Sequence, residues 1–175
     1  MVEERTDEAF ELGTRLTLIG RRLLAGDAAP PFTLDRLDTP DGSIVQVSLA
    51  DSGGAVRLLN VINSIDTPVC YVQSKHWESR VAGLRGGLWL YTVSMDLPFA
   101  LARWRVAEGV AHQLLTAHRD ERFGRDYGVL VKEWRMLQRA LFVIDGADRI
   151  VHAEYVADQM LEPDYGAAVA AIESA

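Results

Sequence analysis

The single cysteine of the chain ends the segment "NSIDTPVC", residues 63–70. The run "AVRLLNVIN" before it is almost continuously apolar, which predicts a central strand buried on both faces. Thr67 suits a helix N-cap, and Pro68 suits the first helical position, where its missing N–H costs nothing. Cys70 then lies in the first helical turn, where free backbone N–H groups and the positive helix end favour a thiolate. The pattern predicts a nucleophilic thiol beyond the carboxyl end of a strand, where open α/β sheets carry their sites.

A buried structural cysteine is the competing interpretation of Cys70, because free cysteine is among the most buried residue types. The order strand, Thr-Pro-Val-Cys, helix favours the reactive interpretation. One cysteine cannot form an internal disulfide, so a reducing compartment suits the chain. An oxidised Cys70 would therefore need a thiol from outside the chain to reduce it.

Strand-like and helix-like segments alternate through the middle of the chain and predict an α/β sandwich with a central mixed sheet. The helix after the cysteine segment would carry Val69, Val72, His76 and Trp77 on one side. "RALFVID" and "IVHAEYV" are joined by a short turn, which predicts an antiparallel hairpin. Because no repeat or long linker interrupts the sequence, we expect one domain over residues 1–175.

The N-terminal part of the chain gives weaker patterns. Residues 1–12 are highly charged and predict a frayed extension or a short helix. "TRLTLIGRRL" alternates around Gly20, which predicts a β-hairpin with that glycine at its turn. "DTPDGS" predicts a further turn before the strand "IVQVSL".

Composition and charge disfavour several classes of protein. Apolar residues make up 49% of the chain and charged residues 25%, a balance typical of globular domains. The net charge of −7 disfavours nucleic acid as a partner. No apolar run is long enough to span a membrane, and the acidic N-terminus lacks a signal-peptide core. The histidines show no metal-ligand spacing. These features predict a cytoplasmic protein that binds neither membrane nor metal.

Several segments together resemble one family. "SIDTPVC" resembles the active-site segment of the thiol peroxidases, which are peroxiredoxins of the atypical two-cysteine type. "GDAAPPFTL", "VSMDLPFALARW", "RALFVID" and "EPDYGAAVAAI" resemble further segments of that family, in the same order, from about Gly13 to Ile172. The resemblance implies a thioredoxin-like α/β sandwich of the peroxiredoxin kind, with an N-terminal β-hairpin and a homodimeric assembly.

The resemblance also implies roles for particular residues. Cys70 would be the peroxidatic nucleophile, which attacks one peroxide oxygen and becomes a sulfenic acid. Thr67 would donate hydrogen bonds to the sulfur and the incoming peroxide. Arg139 would stabilise the thiolate and orient the peroxide, because negative charge moves to the leaving oxygen in the transition state.

The resemblance implies a substrate pocket formed by Asn63, Pro68, Val69 and Trp104, and the chain departs from the family pattern at two positions. Asn63 stands where the family has a proline that shields the sulfur from water. Arg105, in "RWRVAEG", stands where the family has its second, resolving cysteine. We therefore expect a variant that cannot form the family's internal disulfide.

The sequence predicts a one-cysteine antioxidant enzyme that reduces hydrogen peroxide or small alkyl hydroperoxides. It would need no metal, flavin or nucleotide, because the sulfur itself carries the redox chemistry. An external thiol or a thioredoxin-like reductant would reset Cys70. Two alternatives stay open. One is a degenerate homologue that senses oxidants or binds a partner through a mixed disulfide. The other is a structural paralogue without redox chemistry.

Overall fold

The computed structural model describes residues 3–38, 42–84 and 86–175. The strands in these ranges are β1 (Glu4–Glu11), β2 (Thr14–Ile19), β3 (Thr33–Leu37), β4 (Ile44–Ser48), β5 (Arg57–Val61), β6 (Trp89–Ser94), β7 (Gln113–Thr116), β8 (Leu130–Val131), β9 (Met136–Leu137), β10 (Ala140–Ile144) and β11 (Ile150–Tyr155). The helices are α1 (Pro68–Val81), α2 (Pro98–Glu108), α3 (Arg122–Asp126) and α4 (Tyr165–Ser174).

A seven-stranded mixed sheet forms the centre of the molecule, in the order β11-β10-β5-β6-β7-β3-β4. Strands β5, β6 and β7 run parallel, and the other neighbouring pairs run antiparallel. Every residue of β5 is buried, because apolar layers cover both faces of the sheet. Leu58 packs with Trp77 of α1 and Ile172 of α4 on one face, whereas Leu59 packs with Phe142 on the other. The predicted α/β sandwich with a central mixed sheet is confirmed.

The N-terminal hairpin exists, but its position differs from the predicted one. Strands β1 and β2 pair antiparallel from Glu4–Ile19 to Glu11–Thr14. The turn is formed by Leu12 and Gly13, whose φ angles are 48° and 80°. A hairpin turning at Gly20 is therefore wrong, and so is a frayed or helical segment up to Leu12.

Contacts with distant segments explain why the charged N-terminus is extended. Strand β1 belongs to a second sheet, in the order β1-β2-β8-β9. The buried guanidinium of Arg5 donates to the carbonyl of Gly20 and, over 3.0 Å, to that of Gly128. Gly20 itself lies after β2 with a φ of 104°, against the carbonyl of Arg125. The glycine thus permits a close approach between segments rather than a hairpin turn.

The second half of the chain follows the predicted order closely. Strands β10 and β11 form the predicted hairpin, and α2 ends before Gly109, which has a φ of 64°. Helix α4 begins after Asp164, whose carboxylate accepts from the N–H of Ala167 at 3.0 Å. The predicted turn "DTPDGS" lies partly outside the described residues. In the described ranges, no helix combines the length and apolar character that a membrane crossing requires.

Candidate active site

The loop between β5 and α1 carries Cys70 to the predicted position. Strand β5 ends at Val61, and α1 begins at Pro68, so Cys70 is the third residue of the helix. Its side chain has no exposed surface. It lies in an apolar cluster with Ile65, Leu101 and other buried residues of α2 and β7. The thiol is thus enclosed on its apolar side by α2, and polar groups approach it from the loop and from β10.

Asp96 holds the loop that leads to Cys70. The loop donates to its carboxylate from the hydroxyl of Ser64 at 2.7 Å and from the N–H of Ile65 at 2.9 Å. Ser94, at the end of β6, donates its hydroxyl to the same carboxylate at 2.8 Å. The Asp in "DLPFA" therefore fixes the active-site loop to the neighbouring parallel strand, a role that the sequence analysis missed.

Thr67 occupies the N-cap position of α1, but its side chain does not cap the helix. The Thr67 hydroxyl donates instead to the carbonyl of Ser64 at 2.9 Å. Among the described residues, no side chain caps the first turn of α1. The N–H groups at this turn are therefore left as donors beside Cys70, together with the positive end of the helix.

Arg139 lies just before β10 with only 1% of its side chain exposed. Its Nη1 donates to Oε1 of Gln73 at 2.5 Å. Its Nη2 donates to the carbonyl of Gln159 at 2.9 Å and lies 3.4 Å from Oδ1 of Asn63. The buried Nε has no partner in the part of the chain that the structure describes. The guanidinium is thus held by its two terminal nitrogens, and its Nε–H stays unused.

Asn63 joins the thiol to the guanidinium. Its Oδ1 accepts from Sγ of Cys70 at 3.8 Å and from Nη2 of Arg139. Its Nδ2 donates to the carbonyl of Leu137 at 2.7 Å and to Oε1 of Gln159 at 3.0 Å. Because both ends of the amide are bound, its orientation is fixed. The structure thus brings together Cys70, Asn63 and Arg139, which are far apart in sequence.

The remaining predicted pocket residues differ in their exposure. Trp104 is 9% exposed and belongs to the same apolar cluster as Cys70. Its ring meets that of Tyr71 edge to face, with centroids 5.9 Å apart. Pro68 is exposed and Val69 is half-buried at the start of α1. Of these residues, Trp104 shares the apolar cluster of Cys70, whereas Pro68 and Val69 precede the cysteine in the first turn of α1.

Arg105, at the position of the expected second cysteine, serves the end of α2. Its Nε donates to the carbonyl of Val110 at 3.2 Å, and its Nη2 to that of Ala111 at 3.3 Å. A cation near the carboxyl end of a helix also opposes the negative end of the helix dipole. Arg105 therefore stabilises the helix end and its following loop.

Gln73 and Gln159 belong to the site but were missed in the sequence. Both are at most 3% exposed, and both accept a hydrogen bond from Arg139, one at its guanidinium and one at its backbone N–H. Gln73 lies three residues after Cys70, so both fall on one face of α1. That spacing is the signal that could have indicated Gln73.

Comparison with known proteins gives the family. Residues 25–153 match the model of the AhpC/TSA family. The chain belongs to this family. It is 40% identical over 164 residues to a thiol peroxidase of Streptococcus sanguinis, covering 93% of the chain and 97% of that relative. It is 42% identical over 154 residues to the thiol peroxidase of Bacillus subtilis, covering 87% of the chain and 89% of that relative.

Solved structures share the fold of this chain. A peroxiredoxin-like protein from Aquifex aeolicus superposes with a TM-score of 0.83 at 28% identity, covering 99% of this AhpC/TSA family member and 98% of that chain. A thiol peroxidase from Chromobacterium violaceum shares the fold with a TM-score of 0.80 at 23% identity, over 91% of this chain and 92% of its own. The predicted resemblance and the thioredoxin-like peroxiredoxin fold are confirmed.

Proposed function

We propose that this chain is a thiol-dependent peroxidase that reduces hydrogen peroxide or small alkyl hydroperoxides through Cys70. The observation that carries the proposal is a lone buried thiol at an uncapped helix start, joined through Asn63 to the buried Arg139. Relatives at 40% and 42% identity over most of the chain bear the name thiol peroxidase, which supports it.

The proposed reaction is a displacement at oxygen. The Cys70 thiolate attacks one peroxide oxygen, a sulfur–oxygen bond forms, and the oxygen–oxygen bond breaks. Sulfur is oxidised to sulfenic acid, and the second oxygen leaves as water or an alcohol after it takes up a proton. Arg139 stabilises the negative charge that develops on that oxygen, and the hydroxyl of Thr67 adds a donor once it turns away from the carbonyl of Ser64. The Nε of Arg139 supports this role, since it has no partner among the described residues and a buried donor without one costs about 1–3 kcal/mol until a ligand accepts from it.

The pocket residues would control how the peroxide reaches the sulfur. Oδ1 of Asn63 lies 3.8 Å from Sγ of Cys70 and so lies on the polar side of the sulfur. Trp104 supplies an apolar wall that limits water, and Pro68 and Val69 form the outer rim. A sulfur with no exposed surface suits small peroxides better than bulky ones.

The return to the thiol requires an external reductant, because the chain has one cysteine. A thiol attacks the sulfenic acid of Cys70 and releases water, which leaves a mixed disulfide. A second thiol then regenerates Cys70 and carries away the disulfide. A small thiol or a thioredoxin-like protein fits this chemistry. We further propose that residues 1–175 act as one domain in a cytoplasmic homodimer.

Rapid mixing of the reduced protein with hydrogen peroxide tests the proposal. Sulfenic acid on Cys70 is followed with a trapping reagent and mass spectrometry, and Cys70→Ser is the blank. Arg139→Ala is expected to lower the second-order rate by about 10²–10³-fold, as loss of a transition-state donor does, whereas Arg139→Lys retains part of the rate. A wild-type rate no faster than that of free cysteine would show that the chain is not a peroxidase.

The degenerate-homologue alternative is not favoured, since the relatives that match nearly the whole chain are named for peroxidase activity. Steady-state assays with a simple thiol separate the two possibilities. Repeated turnover indicates an enzyme. A single oxidation followed by a stable mixed disulfide with a protein partner indicates a sensor. A Cys70 that stays inert in both assays indicates the structural paralogue.

A further inference from the structure

A line of buried polar side chains leads away from Arg139 beneath α1. The guanidinium donates to Oε1 of Gln73 at 2.5 Å, and Nε2 of Gln73 donates to Oδ1 of Asn60 at 2.5 Å. Nδ2 of Asn60 donates to Oγ1 of Thr92 at 2.9 Å. Gln73, Asn60 and Thr92 have no exposed surface. Polar groups buried in this way are costly unless every link of the line is made.

The line ends at the hydrogen-bonded pair of His112 and Glu78. Nε2 of His112 lies 2.8 Å from Oγ1 of Thr92, and its Nδ1 lies 2.5 Å from Oε2 of Glu78. The other oxygen of Glu78 accepts from the N–H of Ala111 at 2.9 Å. Glu78 belongs to α1, five residues after Gln73, so the line leaves the helix and returns to it. Strands β5 and β6 supply the middle links.

The chemistry at the two ends fixes the direction of every bond. A guanidinium can only donate, and a carboxylate can only accept. The Thr92 oxygen accepts from Asn60, and Nδ1 of His112 donates its proton to Glu78. Nε2 of a neutral His112 then accepts from the Thr92 hydroxyl. Burial lowers the pKa of His112, against the opposing effect of Glu78, which favours this neutral form. No amide in the line can turn over without opposing two donors or two acceptors.

We propose that His112 and Glu78 are positioning residues for peroxide reduction, which hold Arg139 beside Cys70 through Thr92, Asn60 and Gln73. Without this anchor only Arg139 itself opposes a turn of the Gln73 amide, which would bring Nε2 of Gln73 toward the guanidinium. Arg139 would lose its acceptor at 2.5 Å and with it part of its fixed orientation. The kinetic consequence rests on the proposed function, whereas the effect on the guanidinium does not.

The test uses two variants that remove hydrogen bonds at the His112 and Glu78 end of the line, and one that removes them at Gln73. His112→Phe keeps a ring but removes both nitrogens, and Glu78→Gln keeps the shape but can also donate. Each is expected to lower the second-order rate with hydrogen peroxide about 3- to 10-fold, as loss of one hydrogen bond does. In a Gln73→Leu background the His112→Phe change should have almost no further effect, because the link to Arg139 is already cut. His152→Phe, on β11 and outside the line, is the matched control and should leave the rate unchanged.

A second measurement follows Arg139 directly. The NMR signals of the Arg139 side-chain N–H groups should shift or broaden in His112→Phe and Glu78→Gln, but not in His152→Phe. Unchanged Arg139 signals in folded His112→Phe and Glu78→Gln proteins would overturn the positioning role, and so would additive losses of rate in the Gln73→Leu background. A slow wild-type reaction would instead overturn the peroxidase proposal, and the guanidinium signals would still decide the positioning role.

Discussion

Replacement of Asn63 by alanine should lower the free energy of unfolding far more than removal of an exposed surface amide does. The Asn63 side chain is 6% exposed, and its Nδ2 bridges the carbonyl of Leu137 and Oε1 of Gln159. Its Oδ1 accepts from Arg139 and from Cys70 at longer distances of 3.4 and 3.8 Å. Alanine removes all of these bonds at once and adds none.

The size of this loss of stability follows from the two short hydrogen bonds of Nδ2 and from the buried acceptors that would be left without a donor. Each bond of Nδ2 contributes about 1 kcal/mol net, and a buried carbonyl deprived of a donor costs about 1 kcal/mol or more. The longer bonds to Oδ1 add a smaller amount. We expect Asn63→Ala to lower the free energy of unfolding by about 2–4 kcal/mol. For a chain of this length that corresponds to a fall in Tm of roughly 4–16 °C.

Urea unfolding and calorimetry of the reduced protein measure both quantities. Gln46→Ala, which removes an exposed amide from β4, is the control and should change stability by no more than about 0.5 kcal/mol. The variant should also alkylate faster at Cys70, because the thiol loses its acceptor and Arg139 is released from the amide. A loss of stability no larger than that of Gln46→Ala would refute the structural role given to Asn63.

Three further results are expected. Asp96→Ala releases the loop before Cys70. We expect rapid mixing to show at least a tenfold lower peroxidase rate, and urea unfolding to show a free energy of unfolding lower by about 2–3 kcal/mol. Burial lowers the pKa of His112 from 6.5, so the unfolded chain takes up its proton first as pH falls. Its contribution to stability is complete above pH 6.5 and declines below that value, and urea unfolding from pH 8 to 5 should show a shallower decline in His112→Phe. Gly20→Ala places a Cβ against the carbonyl of Arg125 at a φ of 104°, so it should lower the free energy of unfolding by more than about 1 kcal/mol. A smaller loss would show that the two segments can move apart at this contact.

Local sequence patterns predicted the strand and the helix that position the site, because each of them has a clear pattern of its own. The apolar run of β5 and the Thr-Pro pair at the start of α1 predicted the position of Cys70. The turn of the N-terminal hairpin was misplaced because Gly13 and Gly20 both interrupt an alternating pattern. Only the distant contacts of Arg5 and Arg125 decide between them.

The buried face of α1 shows where periodicity fails. Hydrophobic spacing predicts that Val72 is buried, but its side chain is 47% exposed, whereas Gln73 and Ser74 are fully buried. Gln73 is stabilised there by Arg139 and Asn60, which come from other strands and are invisible to a local pattern. Buried glutamines of this kind cannot be told from surface residues in a sequence. Gln73 and Gln159 were therefore missed, whereas Cys70, Asn63 and Arg139 were predicted.

The fixed direction of the line from Arg139 to Glu78 has a consequence for how such a protein can change during evolution. A substitution at one link leaves a mismatched partner on each side, so single replacements inside the line are disfavoured and compensating ones are needed. Homologous chains should therefore keep Asn60, Thr92 and His112 as a set or exchange them as a set. Their joint inheritance, read from an alignment, would record a constraint that acts on the direction of the bonds and not on any one residue.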